Sequence, residues 1–476
     1  MKVTSIDEFK KTKIVATIGP ASESEEKLRE LIDAGLNVAR LNFSHGTQDD
    51  HKERLQKIRK LSLEMEKPVA ILQDLQGPKI RLGNLKKDNI LKKGESVTLC
   101  HGDNQITGDI PVQIDIFPHL KTGDPILIND GIIRLEVKEL PGKSAVCTVV
   151  AGGEIKSHKG VNLPNTQLPS MALTEKDKSD LAFGLENEVD YVAVSFVQSE
   201  EDILYVKKLM QQHVHQPKIV AKIECGPAVR NLHKIIDASD AVMVARGDLA
   251  VEVGQEEVPI LQRSIITYAK RTHKPVIVAT QMLESMIHNA EPTRAEVNDV
   301  ATAVLDGVDA VMLSAESASG DYPVESVAMM KRIIKRVERF LHESREEHEF
   351  HPHGDHSQID AIAESASLLS LKLGAKAILC LTQSGVTAQE LSSYRPSVPI
   401  FVLTDNKYTY QWLALLWGVK CFLVDKITDN SNSYGKIVKK LQDMDVLHSG
   451  DRVVEVAGTH PGVSGHINSI TVYTCE

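Results

Sequence analysis

The chain has 476 residues, 42% of them apolar and 25% charged, with a formal net charge of −10. This composition suits a globular protein of about three domains, and the negative charge argues against a nucleic-acid surface. The sequence contains no apolar stretch long enough for a membrane span and no signal-peptide pattern, and six dispersed cysteines without a CxxC pair favour a cytoplasmic protein with reduced thiols.

The first 77 residues alternate between strand and helix patterns. Apolar runs at 13–18, 37–44 and 69–75 predict three buried strands. Between the first two runs, Ser22 and Glu25 have the spacing of a capping box, and Gly35 is placed to end the helix that would start there.

Residues 78–170 interrupt this alternation. Short β-type runs such as "SVTLC", "PILIND", "IIRLEV" and "AVCTVV" are separated by Gly, Pro, Asp and Asn, without a long amphipathic helix between them. We therefore expect an inserted domain that folds as a small β-barrel.

Strand and helix patterns resume at residue 171. Apolar runs at 191–197, 218–224, 241–247, 275–281 and 310–316 predict five more strands, and Thr293 with Glu296 predicts a capped helix that ends before Gly307. Together with the three earlier strands they make eight, which is the number in a (β/α)8 or TIM barrel formed by residues 1–77 and 171–345.

Polar side chains stand at the carboxyl ends of most of these strands. In the run "IVAKIE", alternation puts Lys222 and Glu224 on the same face, just where the strand stops. Strand ends also turn polar simply on reaching water, but such barrels carry their chemistry at this end. The residues concerned are Arg40, Asn42, Ser44, Asp74, Ser195, Lys222, Glu224, Arg246, Asp248, Thr280, Gln281, Ser314 and Glu316.

The charges at these strand ends have a chemical interpretation. Glu224 and Asp248 are two carboxylates on neighbouring strands, a set that suits Mg²⁺ with open positions for substrate oxygens. Lys222 stands beside them, and Arg40 and Arg81 could converge there. A metal with several fixed cations is what phosphoryl transfer needs; a structural ion-pair network at the barrel mouth is the alternative.

Residues 346–476 predict a separate, smaller domain. The segment 346–357 carries four histidines at irregular spacing and is predicted to be a solvated linker rather than a metal site. Strand patterns such as "AKAILCLT", "VPIFVLTD" and "DRVVEVAG" then alternate with helices, which indicates an open α/β domain.

Nine motifs, in order, resemble those of the pyruvate kinase family. They are "KTKIVATIGP", "ARLNFSHG", "GPKIRLG", "KGVNLP", "AKIE", "MVARGDLAVE", "ATQMLESM", "PTRAEVNDVATAVLDG" and "MLSAES", and they extend from residue 12 to about residue 330. The resemblance implies phosphoryl transfer from phosphoenolpyruvate to ADP, giving pyruvate and ATP in glycolysis, and a cytoplasmic homotetramer.

The resemblance also implies roles for individual residues. Lys222 would stabilise the transferred phosphoryl group and the enolate, Arg40 would contact the substrate phosphate, and the backbone around Gly247 would receive the substrate carboxylate. Glu224 and Asp248 would bind Mg²⁺, with Mn²⁺ as a substitute. Thr280 or, through water, Ser314 would deliver the proton, and Arg81 and Lys159 of the lid would contact the nucleotide phosphates.

The stretch "DLQGPKIRLG" departs from many family members. Those members hold K⁺ with side chains matching Asn42, Ser44 and Asp74 and with a Thr where this chain has Leu75, and they carry Glu where it has Lys79. Because a tethered ammonium can replace a monovalent cation, the sequence predicts an enzyme that does not require K⁺. Lys79 as a solvated hinge residue is the alternative.

An effector site is predicted in the C-terminal domain. "LTQSGVTA" follows a strand and opens a helix, so that Thr382, Ser384, Gly385 and Thr387 would offer N–H and hydroxyl groups to a phosphate; an ordinary capped helix start is the alternative. The last loop, 458–468, contains no Lys or Arg, which favours a sugar monophosphate or AMP over a bisphosphate.

Two other functions remain open from the sequence. A Mg²⁺-dependent aldolase or lyase acting on a pyruvate enolate could use paired carboxylates on a similar barrel, but it would need neither a lid bearing Lys159 nor Lys222 beside the metal. A non-catalytic sensor of phosphorylated ligands would not need the full set of charged strand ends.

Overall fold

The computed structural model describes residues 9–85, 89–102, 109–166, 168, 173–344, 357–424, 430–458 and 467–476. The predicted histidine-rich linker, apart from Ser357, and most of the last loop, 458–468, lie outside these residues. Within the described ranges, no helix combines the length and the apolarity that crossing a membrane requires.

The first part of the chain forms three strands with a helix after each of the first two, as the sequence predicts. The elements are β1 (Lys13–Thr17), α1 (Glu25–Ala34), β2 (Val38–Asn42), α2 (Gln48–Glu64) and β3 (Ala70–Asp74). The capping box predicted for α1 is wrong: Ser24 caps the helix by accepting from the Lys27 N–H, because the Ser22 hydroxyl is already engaged by the Gly19 N–H at 3.1 Å. Gly35 ends α1 with a φ of 125°, a value that glycine adopts easily.

The inserted segment folds around a core of its own. Its strands are β4 (Asn89–Leu91), β5 (Ser96–His101), β6 (Ile110–Val112), β7 (Pro125–Ile128), β8 (Ile133–Glu139), β9 (Ser144–Ala151), β10 (Gly153–Ile155) and β11 (Val161–Asn162). Six of them form a sheet in the order β11-β7-β8-β9-β5-β6. Arg81 bridges to Gly160 next to one edge strand, and Leu82 bridges to Val112 in the other. The sheet therefore curves back on itself, as a small barrel requires.

The chain then returns to the βα pattern. The elements are α3 (Glu175–Glu186), β12 (Tyr191–Val194), α4 (Glu200–Met210), β13 (Lys218–Ile223), α5 (Gly226–Arg230), α6 (Leu232–Ala238), β14 (Ala241–Ala245), α7 (Arg246–Val253), α8 (Val258–Arg271), β15 (Val276–Ala279), α9 (Arg294–Leu305), β16 (Ala310–Leu313), α10 (Ala315–Ala318) and α11 (Pro323–Ser344). Thr293 and Glu296 form the capping box predicted for α9.

Eight parallel strands close into a barrel in the order β1-β16-β15-β14-β13-β12-β3-β2. In β13, Val220 belongs to the apolar cluster inside the barrel, whereas Ile219, Ala221 and Ile223 pack with the surrounding helices. The predicted alternation is confirmed, and it fixes the direction in which Lys222 points.

A five-stranded α/β domain packs against the amino-terminal end of the barrel. Its elements are α12 (Gln358–Leu373), β17 (Ala377–Leu381), α13 (Val386–Ser393), β18 (Ile400–Thr404), α14 (Lys407–Trp412), β19 (Val419–Leu423), α15 (Asn430–Asp443), β20 (Arg452–Ala457) and β21 (Ser469–Thr474). The strand order is β19-β18-β17-β20-β21, with β21 antiparallel. The Tyr191 hydroxyl donates to the carbonyl of Trp412 at 2.8 Å and the Lys13 ammonium to that of Val419 at 2.6 Å, which joins the two domains.

Candidate active site

A buried lysine is held between two carboxylates at the carboxyl ends of β3, β12 and β13. The Lys222 ammonium lies 3.1 Å from Asp74 Oδ1 and 2.9 Å from Glu224 Oε1, and it donates to Ser195 Oγ at 2.7 Å. The Ser195 hydroxyl in turn donates to the Leu75 carbonyl at 2.7 Å. Three partners therefore fix the position of this ammonium.

These contacts decide the charge states in the cluster. Burial disfavours the ammonium of Lys222, but the charges of Asp74 and Glu224 outweigh burial and raise its pKa. Burial would raise the pKa of Asp74, yet Lys222 and Arg40 lower it. Arg40 donates from Nε to Asp74 Oδ2 at 2.7 Å and from a terminal nitrogen to Thr17 Oγ1 at 2.9 Å. Lys222 therefore stays charged beside an ionised Asp74.

Glu224 and Asp248, the predicted Mg²⁺ ligands, form a pair of carboxylates in which the charge of Asp248 acts on Glu224. Burial raises the pKa of Glu224, the charge of Lys222 opposes this, and the charge of Asp248 adds to it. Glu224 Oε2 also accepts from the Phe196 N–H at 2.8 Å, while Asp248 lies partly exposed in the first turn of α7. A buried carboxylate whose charge is disfavoured by a neighbouring carboxylate forms with it a donor set that fits a divalent cation.

Thr280 is bound to the amino-terminal end of α7. Its hydroxyl accepts from the Gly247 N–H at 2.9 Å, and its backbone has a φ of 70°, followed by 54° at Gln281. Arg246 spans this turn by donating to the Thr280 carbonyl at 2.6 Å and to Asp299 at 2.7 Å. Since a left-handed threonine is strained, the Arg246 contact helps to hold the turn.

Ser314 follows β16, which pairs with β15 in the barrel. Its N–H donates to Glu316 Oε2 at 2.7 Å, and Glu316 Oε1 accepts from the Leu283 N–H at 3.2 Å. Glu316 therefore connects the strand end of Ser314 with the segment that follows Thr280.

Arg81 and Lys159 lie together in the lid. Arg81 donates to the His158 carbonyl at 3.0 Å, and the Lys159 carbonyl accepts from the Leu82 N–H at 2.9 Å. Among the described residues, neither side chain forms an ion pair with Glu224 or Asp248, so these carboxylates do not hold the two cations at the barrel mouth.

The residues predicted to surround a monovalent cation are divided between two places. Asn42 Oδ1 accepts from the Ser44 N–H at 3.1 Å, and Asp74, at the end of the neighbouring strand, belongs to the Lys222 cluster. Leu75 is buried. The ammonium of Lys79 lies instead 3.8 Å from Asp248 Oδ1, at the carboxylate pair.

The predicted effector loop connects β17 to α13. Thr382 Oγ1 accepts from the Gly385 N–H at 2.9 Å, and Gly385 has a φ of 82° at the cap of the helix. A Cβ there would come within 2.2 Å of the Trp412 ring, so the site requires glycine. Ser384 lies in the same turn, and Thr387 is buried in the first turn of α13.

Two contacts at the barrel mouth were not predicted. The sequence marks Ser195 only as a polar strand end, and the Phe196 N–H that binds Glu224 is a backbone group without a sequence signal. The position of Ser195 two residues after Ala193, which lines the barrel, is a signal that could have identified it as inward-facing.

The fold and the site define an enzyme built on a closed (β/α)8 barrel, with its polar centre at the carboxyl ends of the strands and a β lid beside it. Family models match the chain as "Pyruvate kinase, barrel domain" over residues 9–327 and as "Pyruvate kinase, alpha/beta domain" over residues 360–473. The chain belongs to the pyruvate kinase family, and it is therefore a phosphotransferase.

Full-length relatives agree with this assignment. The pyruvate kinase of Clostridium perfringens is 42% identical over 475 residues, covering 98% of this chain and 99% of that protein. Pyruvate kinase 2 of Synechocystis is 42% identical over 472 residues, covering 97% of this chain and 79% of that protein. The crystal structure of a pyruvate kinase from Cryptosporidium parvum matches with a TM-score of 0.91 at 33% identity, covering 99% of this chain and 97% of that one.

Proposed function

We propose that this protein transfers a phosphoryl group from phosphoenolpyruvate to ADP, giving pyruvate and ATP. The observation that carries the proposal is the Lys222 ammonium, fixed by Asp74, Ser195 and Glu224 next to the Glu224–Asp248 pair. A preorganised cation aimed at developing charge lowers the barrier without reorganising during the reaction.

Each step of the transfer would use a different group. Arg40 would bind the phosphate of phosphoenolpyruvate, and backbone N–H groups around Gly247 at the start of α7 would receive its carboxylate. Lys222 would neutralise the phosphoryl group in transit and the enolate oxygen left behind. A proton would then reach the enolate carbon from Thr280 or, through water, from Ser314; both remain candidates.

Glu224 and Asp248 would hold Mg²⁺, or Mn²⁺ in its place. When bound, the ion supplies positive charge to the phosphoryl and substrate oxygens. We also propose that K⁺ is not required, since Leu75 offers no side-chain oxygen and Lys79 already brings a positive charge to Asp248.

The lid would bind the nucleotide, and the C-terminal domain would bind an effector. Arg81 and Lys159 would bind the nucleotide phosphates as the lid closes and excludes water. A sugar monophosphate or AMP would bind at Thr382, Ser384, Gly385 and Thr387 and regulate the enzyme allosterically. Family resemblance supports a homotetramer in the cytoplasm that acts in glycolysis.

A coupled assay of ATP formation from phosphoenolpyruvate and ADP tests the proposal directly. The purified protein with Mg²⁺ should form ATP and pyruvate in equal amounts. Consumption of an aldol substrate without ATP formation would identify a lyase, and binding of phosphorylated ligands without turnover would identify a sensor. Either result would refute the proposed function.

A further inference from the structure

A histidine of the barrel meets two carboxylates of the C-terminal domain on the side opposite to the candidate active site. His273 lies in the connection between α8 and β15, Asp360 in α12 and Glu390 in α13. His273 Nδ1 contacts Glu390 Oε2, and Nε2 lies 4.0 Å from Asp360 Oδ1. One ligand atom from each of the three residues lies within 4.8 Å of the others.

The surrounding groups orient this His273–Asp360–Glu390 cluster. The Gln389 side chain donates to the His273 carbonyl at 2.9 Å, and His273 has a left-handed backbone with a φ of 56°. The Tyr394 hydroxyl donates to Asp360 Oδ1 at 2.5 Å. Hydrogen bonds that hold the ligating side chains in position are a regular feature of metal sites.

Among the described residues, Asp360 and Glu390 form ion pairs with His273 but with no lysine or arginine. Of the cations around the cluster, the Lys274 ammonium donates to the Ser239 carbonyl at 2.7 Å, and Arg395 pairs with Asp309 at 2.9 Å. Asp360 is buried and Glu390 is partly buried, and two such carboxylates without a lysine or arginine partner favour a bound cation.

We propose that His273, Asp360 and Glu390 bind a divalent transition-metal ion of the Zn²⁺ class, with water in the fourth position. One imidazole and two carboxylates suit Zn²⁺ or Co²⁺ better than Mg²⁺, which prefers oxygen ligands alone. The ion fastens α12 and α13 to the barrel. Because α13 starts at the loop 382–387 and β15 leads to Thr280, the ion lies between the proposed effector site and the catalytic end. The proposal concerns binding and does not rest on the proposed reaction.

The test measures Zn²⁺ and Co²⁺ binding to the metal-stripped full chain, in excess Mg²⁺ so that Glu224 and Asp248 are occupied. The variants are His273→Gln and Glu390→Gln. The control is His288→Gln, since His288 is an exposed histidine paired with a single carboxylate, Asp321, at 3.1 Å. We expect the unmodified chain and the control to bind one more ion than His273→Gln, with Co²⁺ giving a visible absorption band, and Glu390→Gln to bind at least about tenfold more weakly.

Histidines 348, 351, 353 and 356 are present in every sample and contribute the same background. Circular dichroism and the unfolding temperature without metal check that each variant is folded, and His273→Gln alone decides the test if Glu390→Gln fails to fold. Equal stoichiometry and affinity in the unmodified chain and His273→Gln would overturn the proposal. It would also be overturned if the unmodified chain bound no such ion, since the cluster would then be an ion pair with a protonated His273.

Discussion

The ammonium of Lys79 lies 3.8 Å from an oxygen of Asp248, which connects the entrance of the lid to the carboxylate pair of the barrel. Both side chains are about one-third exposed, at 31% and 36%, so the contact is an open one that a ligand could rearrange. Lys79 therefore adds a positive charge at the place where a divalent ion and a substrate phosphate are expected to bind.

Charge reversal at residue 79 tests the proposed independence from K⁺. We expect the unmodified enzyme to be fully active with a bulky organic cation in place of Na⁺ and K⁺, and Lys79→Glu to lose most activity and regain part of it with K⁺. Steady-state rates at constant ionic strength measure this, with Lys93→Glu, an exposed lid residue, as the control. Strong K⁺ activation of the unmodified enzyme would show that the interpretation is wrong.

Replacement of Lys222 separates catalysis from binding. Lys222→Met keeps an unbranched side chain, one atom shorter, but removes the charge that acts most strongly in the transition state. The kcat should therefore fall by about 10²–10³-fold or more while KM for phosphoenolpyruvate changes little. Initial-rate kinetics give both constants. A variant with near-normal kcat would exclude Lys222 from the chemistry.

The metal pair is tested by neutral variants of the same volume. Glu224→Gln and Asp248→Asn each remove one charged ligand, so the Mg²⁺ concentration for half-maximal rate should rise sharply in both. Protons compete with the ion for Glu224, whose pKa is raised, so the affinity for Mg²⁺ should fall as the pH is lowered, and less steeply in Glu224→Gln. Unchanged Mg²⁺ titrations in both variants would contradict the assignment.

The predicted effector loop indicates activation by an effector that carries a single phosphate group. A sugar monophosphate or AMP should lower the phosphoenolpyruvate concentration for half-saturation, and Thr382→Ala combined with Ser384→Ala should abolish the response. Thr382→Ser is the control because it keeps the oxygen that accepts from the Gly385 N–H. Activation by fructose bisphosphate alone, at low concentration, would refute this prediction.

The lowered pKa of the buried Lys13 ammonium predicts that the stability of the protein depends on pH. Burial lowers its pKa to about 7, whereas an unfolded lysine titrates near about 10.4. Between these values the unfolded chain binds the extra proton, so the free energy of unfolding rises with pH. Lys13→Met should therefore be more stable than the unmodified protein at and below pH 7, and the difference should shrink as the pH approaches about 10.4.

Urea unfolding midpoints at several pH values measure this effect. Lys121→Met, at an exposed position, is the control and should differ little from the unmodified protein at any pH. A constant difference between Lys13→Met and the unmodified protein across this range would show that Lys13 does not titrate differently on folding.

The barrel and most of its polar mouth were predictable because strand alternation is local and the carboxyl ends of parallel strands meet at one edge. That rule brings Asp74, at the end of β3, together with Lys222 and Glu224, at the end of β13. The β insertion was also predictable, since the loss of helical periodicity after residue 78 is visible in the sequence without any tertiary information.

Other features depend on contacts between distant parts of the chain. Ser24 rather than Ser22 caps α1, because the Ser22 hydroxyl accepts from the Gly19 N–H. The contact between Lys79 and Asp248 joins the lid hinge to a distant strand end of the barrel. The left-handed turn at Thr280 is held by Arg246 of the preceding βα unit. No motif joins His273 to Glu390, which lies 117 residues away, so this cluster could not be predicted from the sequence.

The inserted lid also bears on how the barrel closes during folding. β3 pairs with β12 at Asp74 and Ala193, although the whole lid lies between them in the chain. Joining the ends of a flexible loop costs entropy that grows with its length, but the folded lid already brings Arg81 and Gly160 into backbone contact. Once the lid has formed, the chain that remains to be ordered between β3 and β12 is the connection from β3 to Arg81 and the connection from Gly160 to β12, which contains α3. We therefore expect amides of the lid core to gain protection from hydrogen exchange before those of β3 and β12.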